Sequence, residues 1–249
     1  MPEHKPRVLW ATGIGVTVFL FMTSLPVIHF YQAYWPRVSH LPTIVRRREE
    51  SHGGRWTTLS HVSPWVVEAL VATEDRTFDS NIGISFEGIG RSLLVDLRSG
   101  QRLQGGSTLT QQLVRDTLLS PAKRFHRKIA EALLSVLATA LYSKREILTL
   151  YLNQVYLGDG AYGIGKASQN YFKRSPAQLS PAQATLLAGL PQAPSEDDPL
   201  IHWRAAKDRQ WQVLQSMVAD NLLSTAEAQH VFRAPLDLVR KEGERSGQG

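Results

Sequence analysis

Two carboxylates, a run of cations and a glycine-led cluster of hydroxyls and amides are the parts of this 249-residue chain that could do chemistry. The first acid, Glu74, opens the stretch EDRTFDSNIG, directly after the apolar run SPWVVEALVAT. Val66, Val67, Leu70 and Val71 recur at helical spacing, which places Glu74 at the C-terminal end of a helix beside Asp75. There the negative end of the helix dipole and a like charge both favour the protonated carboxyl, as a proton-transferring group near neutral pH requires. A plain ion pair of Glu74 or Asp75 with Arg76 or a later base fits the same residues, so this stretch alone leaves the role open. The second acid, Glu131, ends KRFHRKIAE. Arg127 lies four residues before it and Lys128 three, so both share its helix face. Either this is a solvated salt-bridged turn, or Lys123, Arg124, Arg127 and Lys128 form a cradle for a polyanion. Three of these cations stand near a helix N-terminus, where the dipole disfavours them, a mild cost that is compatible with an anion partner and leaves both readings open.

Between the acids lies GGSTLTQQ. Two glycines permit close backbone approach, and Ser107, Thr108, Thr110, Gln111 and Gln112 follow at the start of a helix. Free N–H groups and hydroxyls there suit an oxyanion or a sugar hydroxyl; a simple N-cap with a polar face is the alternative. The stretch lacks the lysine of a phosphate-binding loop. Paired carboxylates across a cleft are the usual equipment for chemistry at an anomeric carbon. The histidines show no metal-ligand spacing, and no metal site can be read.

The elements that must hold these groups read as mainly α. The strand patterns are scarce, and helical periods run through SPWVVEALVAT, SFEGIGRSLLVDLRS, STLTQQLVRDTLL, Arg124 to Tyr142, KREILTLYLNQVYLG, GIGKASQNYF, SPAQATLLAGL, HWRAAKDRQWQVLQSMVADN and STAEAQHVF. Residues 31–60 read as a connector without sustained period, with TIVRRRE as a strand edge or irregular chain, and 236–249 as a disordered tail. Residues 8–30 hold no charged side chain; at about 1.5 Å per residue they span a hydrocarbon core of roughly 30 Å. Lys5 and Arg7 precede them, which puts residues 1–7 in the cytoplasm and the domain at 61–235 outside. Lys and Arg total 28 against 22 Asp and Glu, a mild excess that fits an anionic partner. No cysteine is present, which excludes disulfides and thiolate metal sites.

Four motifs then stand in order. EDRTFDSNIG, GGSTLTQQL, RKIAE and KREILTLYLNQVYLG, with LPQAPS further on, make the chain resemble the peptidoglycan glycosyltransferases of family 51, the domain found in class A penicillin-binding proteins and monofunctional transglycosylases. The resemblance covers about residues 60–235. It implies a lysozyme-like fold with a small membrane-proximal jaw lobe, and polymerisation of lipid II into β-1,4 glycan with inversion and loss of undecaprenyl pyrophosphate. It implies Glu74 as the base and Glu131 as the second carboxylate. Lys123, Arg127 and Lys128 would hold the pyrophosphate, with Arg115 where the family has Lys. Ser107, Thr108, Gln111 and Gln112 would line the cleft, Asn153 of the fourth motif would either contact the sugar or serve a structural role, and Phe78, Asn81 and Gly83 would shape the first-motif turn. Asn81 stands where the family has His, and Lys123 where Arg is typical. No cofactor is implied beyond a divalent cation such as Mg, and the expected partners are lipid II, the glycan strand, the membrane and cell-wall synthesis proteins, not nucleic acid. The expected location is the inner membrane, with no transpeptidase domain in the short tail. A glycan-cleaving lysozyme-like enzyme explains the carboxylates but not the cations; a non-catalytic lipid II-binding scaffold is the other rival.

Overall fold

The computed structural model describes residues 28–30, 32–90, 106–120 and 124–239. The chain divides into two units, Met1–His40 and Leu41–Gly249. In the first, residues 28–30 and 32–39 are helical, and the rings of Phe30 and Tyr34 stand 4.8 Å apart. The expected membrane span at 8–30 lies outside the described residues apart from 28–30. No helix among the described residues is long and apolar enough to cross a membrane.

The second unit is helical, and among its described residues the only bridge of β type is an isolated one between Tyr156 and Tyr162. Its first helix, α1 (Leu41–Ser51), corrects the reading of the connector as irregular chain or strand edge. Leu41, Val45 and Glu49 recur every four residues and are buried, while Arg46, Arg47 and Arg48 face solvent. The apolar stripe was too short and too interrupted by charge to signal a helix, and packing on a neighbouring helix supplies what propensity alone did not.

Helices α2 (Pro64–Glu74), α3 (Leu109–Leu118), α4 (Arg124–Leu141), α5 (Lys144–Gln154), α6 (Ile164–Phe172), α7 (Pro181–Gly189), α8 (Trp203–Ala219) and α9 (Thr225–Arg233) follow. Helix α7 is the core element. Its residues from Ala182 to Gly189 are all buried, because α2 and α8 pack on it and on each other. A helix apolar on every side belongs there. Each fully buried leucine, such as Leu186 and Leu187 at 1 % exposure, contributes about 1.5–3 kcal/mol by leaving water. A second group forms where α3 packs on α4 and α5, with α1 laid on α5. The helix starts are set locally: Thr108, Ser143, Ser180 and Ser224 each close a reciprocal capping box with a Gln or Glu three residues on. The helix expected over SFEGIGRSLLVDLRS is described only at its start, where residues 86–90 are helical. The tail expected to be disordered from 236 is tied down at first. Leu236 is buried, its carbonyl accepts from Gln183, and the Val239 N–H donates to Tyr171.

Glu49 is the anomaly of this packing. It is buried, one carboxylate oxygen has no hydrogen-bond partner, and a Cβ on Gly54 would stand 2.6 Å from its Cγ. Burial, opposed by Arg46 and assisted by Glu50, pushes its carboxyl from 4.5 up to about 7. The protonated form therefore favours the fold. That contribution is full below about pH 4.5 and is lost as pH rises through 7. Glu49→Gln should melt above the wild type at pH 8, and the gap should close by pH 4.5, as thermal unfolding at both pH values will measure.

Candidate active site

Helix α2 begins with Ser63 and Pro64 at its first turn, buries Val66, Ala69 and Leu70, and delivers Glu74 at its last residue. Glu74 is only 12 % exposed, and both its oxygens are held from other helices. Gln112 of α3 donates through Nε2 to Oε2 at 2.8 Å, and Arg209 of α8 donates through Nη2 to Oε1 at 3.1 Å. Each holder is itself held. The Gln112 Oε1 accepts from the Tyr151 hydroxyl of α5 at 3.0 Å, while Arg209 also donates to the Gly189 carbonyl and to Gln212. Burial, then the Glu74 charge, pushes the Tyr151 phenol well above its ordinary range, so it stays a proton donor to Gln112.

The oxygens of Asp75 are engaged by other partners than those of Glu74. The charge in contact with Glu74 is a cation, Arg209. Asp75 is 5 % exposed and accepts from the Leu109 N–H at 3.1 Å, from Asn81 Nδ2 at 2.9 and 3.1 Å, and from Thr77 at 3.2 Å. Burial raises its pKa against the opposing pull of these bonds and of Lys144. Asn81 is the hub of this knot. While Nδ2 donates to Asp75, Oδ1 accepts from the Gly83 N–H at 2.9 Å and from Lys144 Nζ at 3.0 Å. Lys144 also stands 4.9 Å from the ring centre of buried Phe78. An amide that both donates and accepts thus braces the turn without a titratable ring. Gly83 completes it. Its φ is +97°, and a Cβ there would lie 2.3 Å from the Ser135 carbonyl of α4, so only glycine fits. Its own carbonyl accepts from the Thr108 hydroxyl at 2.7 Å.

The second motif divides between support and cavity. Thr108 and Gln111, 1 % and 2 % exposed, form the capping box of α3, so their polar atoms serve the helix start. Ser107 and Gln112 instead border a cavity of about 570 Å³, together with Glu74, Arg115, Arg127 and Arg209. Glu131 is 2 % exposed and sits behind this wall. Lys128 joins the two, donating to Glu131 Oε1 at 2.5 Å and to Ser107 at 2.9 Å. Arg115 pairs with the adjacent Asp116 at 2.8 Å. Lys123 lies outside the described residues. Asn153 is elsewhere: buried, it donates to the Thr57 and Thr149 carbonyls and accepts the Thr57 N–H, and it borders no part of this cavity. Among the described residues no group of three or more acidic or histidine side chains is placed to hold a metal ion. The arrangement presents one immobilised carboxylate to a cavity whose other walls are rich in guanidinium groups.

The protein family described as Transglycosylase matches residues 42–218, a span that contains every residue of this cavity. The chain belongs to the transglycosylase family. It is 39 % identical over 187 residues to penicillin-binding protein 1A of Aquifex aeolicus (75 % of this chain, 26 % of that protein). It is 42 % identical over 167 residues to penicillin-binding protein 1A of Escherichia coli (67 % and 20 %). Penicillin-binding protein 2D of Bacillus subtilis is 38 % identical over 181 residues (73 % and 26 %). The matched part of the chain thus spans about a fifth to a quarter of these relatives. A crystal structure of penicillin-binding protein 1A from Haemophilus influenzae is similar at a TM-score of 0.46 and 23 % identity, covering 76 % of this chain and 18 % of that one.

In this transglycosylase domain, sequence reasoning missed Arg209, Tyr151 and Lys144. Arg209 is one of several cations on an amphipathic helix, and no local spacing separates it from Arg204 or Lys207. The Arg209–Glu74 pair is 13 % and 12 % exposed, so losing either partner strands a poorly solvated charge. In urea denaturation, Arg209→Gln and Glu74→Gln should each destabilise, and the double variant should cost little more than either one. The expected coupling is about 1–3 kcal/mol, and additive effects would mean the contact does not form in solution.

Proposed function

We propose that this transglycosylase domain polymerises lipid II into β-1,4 glycan strands and releases undecaprenyl pyrophosphate. The observation that carries the reading is the Glu74 carboxylate, held by Gln112 and Arg209 at the edge of a cavity that Arg115 and Arg127 also border. Glu74 takes the proton of the acceptor 4-hydroxyl as its oxygen attacks the donor anomeric carbon. The bond from that carbon to the pyrophosphate oxygen breaks on the opposite face, which inverts the centre. Charge then grows on the leaving pyrophosphate, where fixed cations stabilise it. Arg115 and Arg127, which border the cavity, and Lys128, bonded to Ser107 of its wall, are assigned this role, and Lys123 is assigned the same role from its motif. Lys128 also binds Glu131, so the second carboxylate acts by orienting a cation. Ser107, on the cavity wall and bonded to Lys128, offers a hydroxyl to the substrate. Gln112 and Arg209 together fix the Glu74 carboxylate in one orientation, so that little reorganisation is needed at the moment of attack.

Glycan hydrolysis is a weaker fit, since it needs a water site and no cationic wall. The uncharged stretch at 8–30 is assigned as a single span in the inner membrane, with the domain on the extracytoplasmic side. Confinement to the surface that carries a lipid-linked substrate raises its effective concentration. The glycan strand and other cell-wall synthesis proteins are the expected partners.

The test is incubation of the purified chain with labelled lipid II. Wild type should give polymer, and Glu74→Gln should lower the rate by about 100-fold or more. Arg127→Gln should cut kcat by at least about tenfold while leaving the melting temperature nearly unchanged. Shortening of preformed glycan would instead favour hydrolysis, and binding without polymer a scaffold.

A further inference from the structure

A second cavity, of about 920 Å³, lies in the Leu41–Gly249 unit and shares no residue with the first. One wall is the loop after α1, residues 53–58; the other is the start of α6 and the turn beyond it. Three cations border it, Arg55, Lys166 and Arg174, and no carboxylate does. Trp56 supplies an aromatic ring, with the Arg46 guanidinium 4.6 Å from its centre, and Gln169 and Asn170 supply amides.

Part of this polar equipment is left over within the protein, although Asn170 Nδ2 donates to the Asp159 carbonyl at 3.1 Å. The Arg55 guanidinium and the Gln169 amide make no hydrogen bond or ion pair among the described residues. Arg174 reaches Asp237 only at 3.7 Å, with both side chains about half exposed. Lys166 uses one of its three donors on the His52 carbonyl. The α6 N-cap is Gly163, which offers no side-chain acceptor, so the dipole of α6 adds partial positive charge to the same wall.

The walls are held in place. The Asn153 carboxamide accepts the Thr57 N–H at 2.7 Å and donates to the Thr57 carbonyl at 2.8 Å. A Cβ on Gly165 would meet Thr57 Oγ1 at 2.9 Å, so α6 presses directly on the opposite wall. A preformed cavity loses less entropy on binding than one that must close. This gives Asn153 a role away from the Glu74 cavity: it builds a second one.

The volume lies within the roughly 300–1,000 Å³ of ligand pockets. An aromatic ring stacks on a sugar face, amides bond hydroxyl and acetamido groups, and cations in a cavity lined by no carboxylate select carboxylates, Arg174 alone having an acid, Asp237, at 3.7 Å. A simple phosphate or lipid headgroup would leave the ring and amides unused. We propose that this cavity is a second glycan site, which binds a carboxylate-bearing stretch of peptidoglycan strand. The inference rests on the polymerase reading, since the ligand is its product. A strand held here stays near the enzyme after each addition, which favours rebinding over release.

The test uses the full chain, the variant pair Arg55→Glu/Arg174→Glu, and an uncross-linked glycan tetrasaccharide that carries its stem peptides. Hydrogen exchange should show protection of 53–58 and 165–177 when the tetrasaccharide is added. In the variant this protection should vanish, affinity should fall tenfold or more, initial polymerisation rate should hold, and strands should shorten. If the charge reversals unfold the chain, Arg55→Gln/Arg174→Gln should still weaken binding. Absent or unaltered protection overturns the site. Equal protection by chitotetraose, which has no carboxylate, overturns the stated ligand, as does protection by phosphatidylglycerol vesicles or inorganic phosphate alone. Protection in a wild type that makes no polymer supports the site and sinks the polymerase reading instead.

Discussion

The buried carboxylate of Asp75 holds the arrangement around Glu74 together. It accepts the N–H that begins α3, the amide of Asn81 and the hydroxyl of Thr77, so one side chain ties the end of α2, the turn after it and the start of α3. A carboxylate out of water is tolerable only when its oxygens are satisfied. Those bonds and Lys144 offset only part of the burial, which still raises the Asp75 pKa. Because α2 and α3 are fixed to each other there, Glu74 and Gln112, one on each helix, meet at 2.8 Å. The adjacent acids therefore divide the work: Asp75 builds and Glu74 faces the cavity.

Charge is distributed on the same logic elsewhere. Glu131 is withdrawn from the cavity and pairs with Lys128, and the charged groups on the cavity wall are cationic apart from Glu74. Such a wall suits a substrate whose leaving group gains negative charge, because the stabilising groups are in position before reaction. The second cavity carries the same sign without any acid, and shares its wall with the segment that Asn153 clamps. Glycines mark the places where backbones meet: Gly83 against α4, and Gly165 against Thr57.

Much of the fold was legible in the sequence, because amphipathic period and Ser-Pro or Ser/Thr starts are local signals. Helices α2, α3, α4, α7 and α9 fall where those signals place them. The connector was misjudged because α1 draws its order from packing on α5, which its arginine-rich sequence does not reveal. In the second motif, sequence could not tell which polar residues faced outward. Thr108 and Gln111 have the same chemistry as Ser107 and Gln112, and only the helix phase sends one pair into the cap and the other to the cavity.

Read without its structure, the chain specifies its helices, the two acids, the cationic run and the order of its motifs, since all of these depend on residue type and near spacing. Tertiary structure decided the rest. It brought Arg209 to Glu74 across 135 positions of chain, sent Asp75 inward, made Asn81 a structural hub and set Asn153 as a clamp on the Thr57 backbone. The physical reason is the same in each case: a hydrogen bond or ion pair between distant segments follows from how helices pack, and packing is set by the whole core rather than by the residues that finally touch.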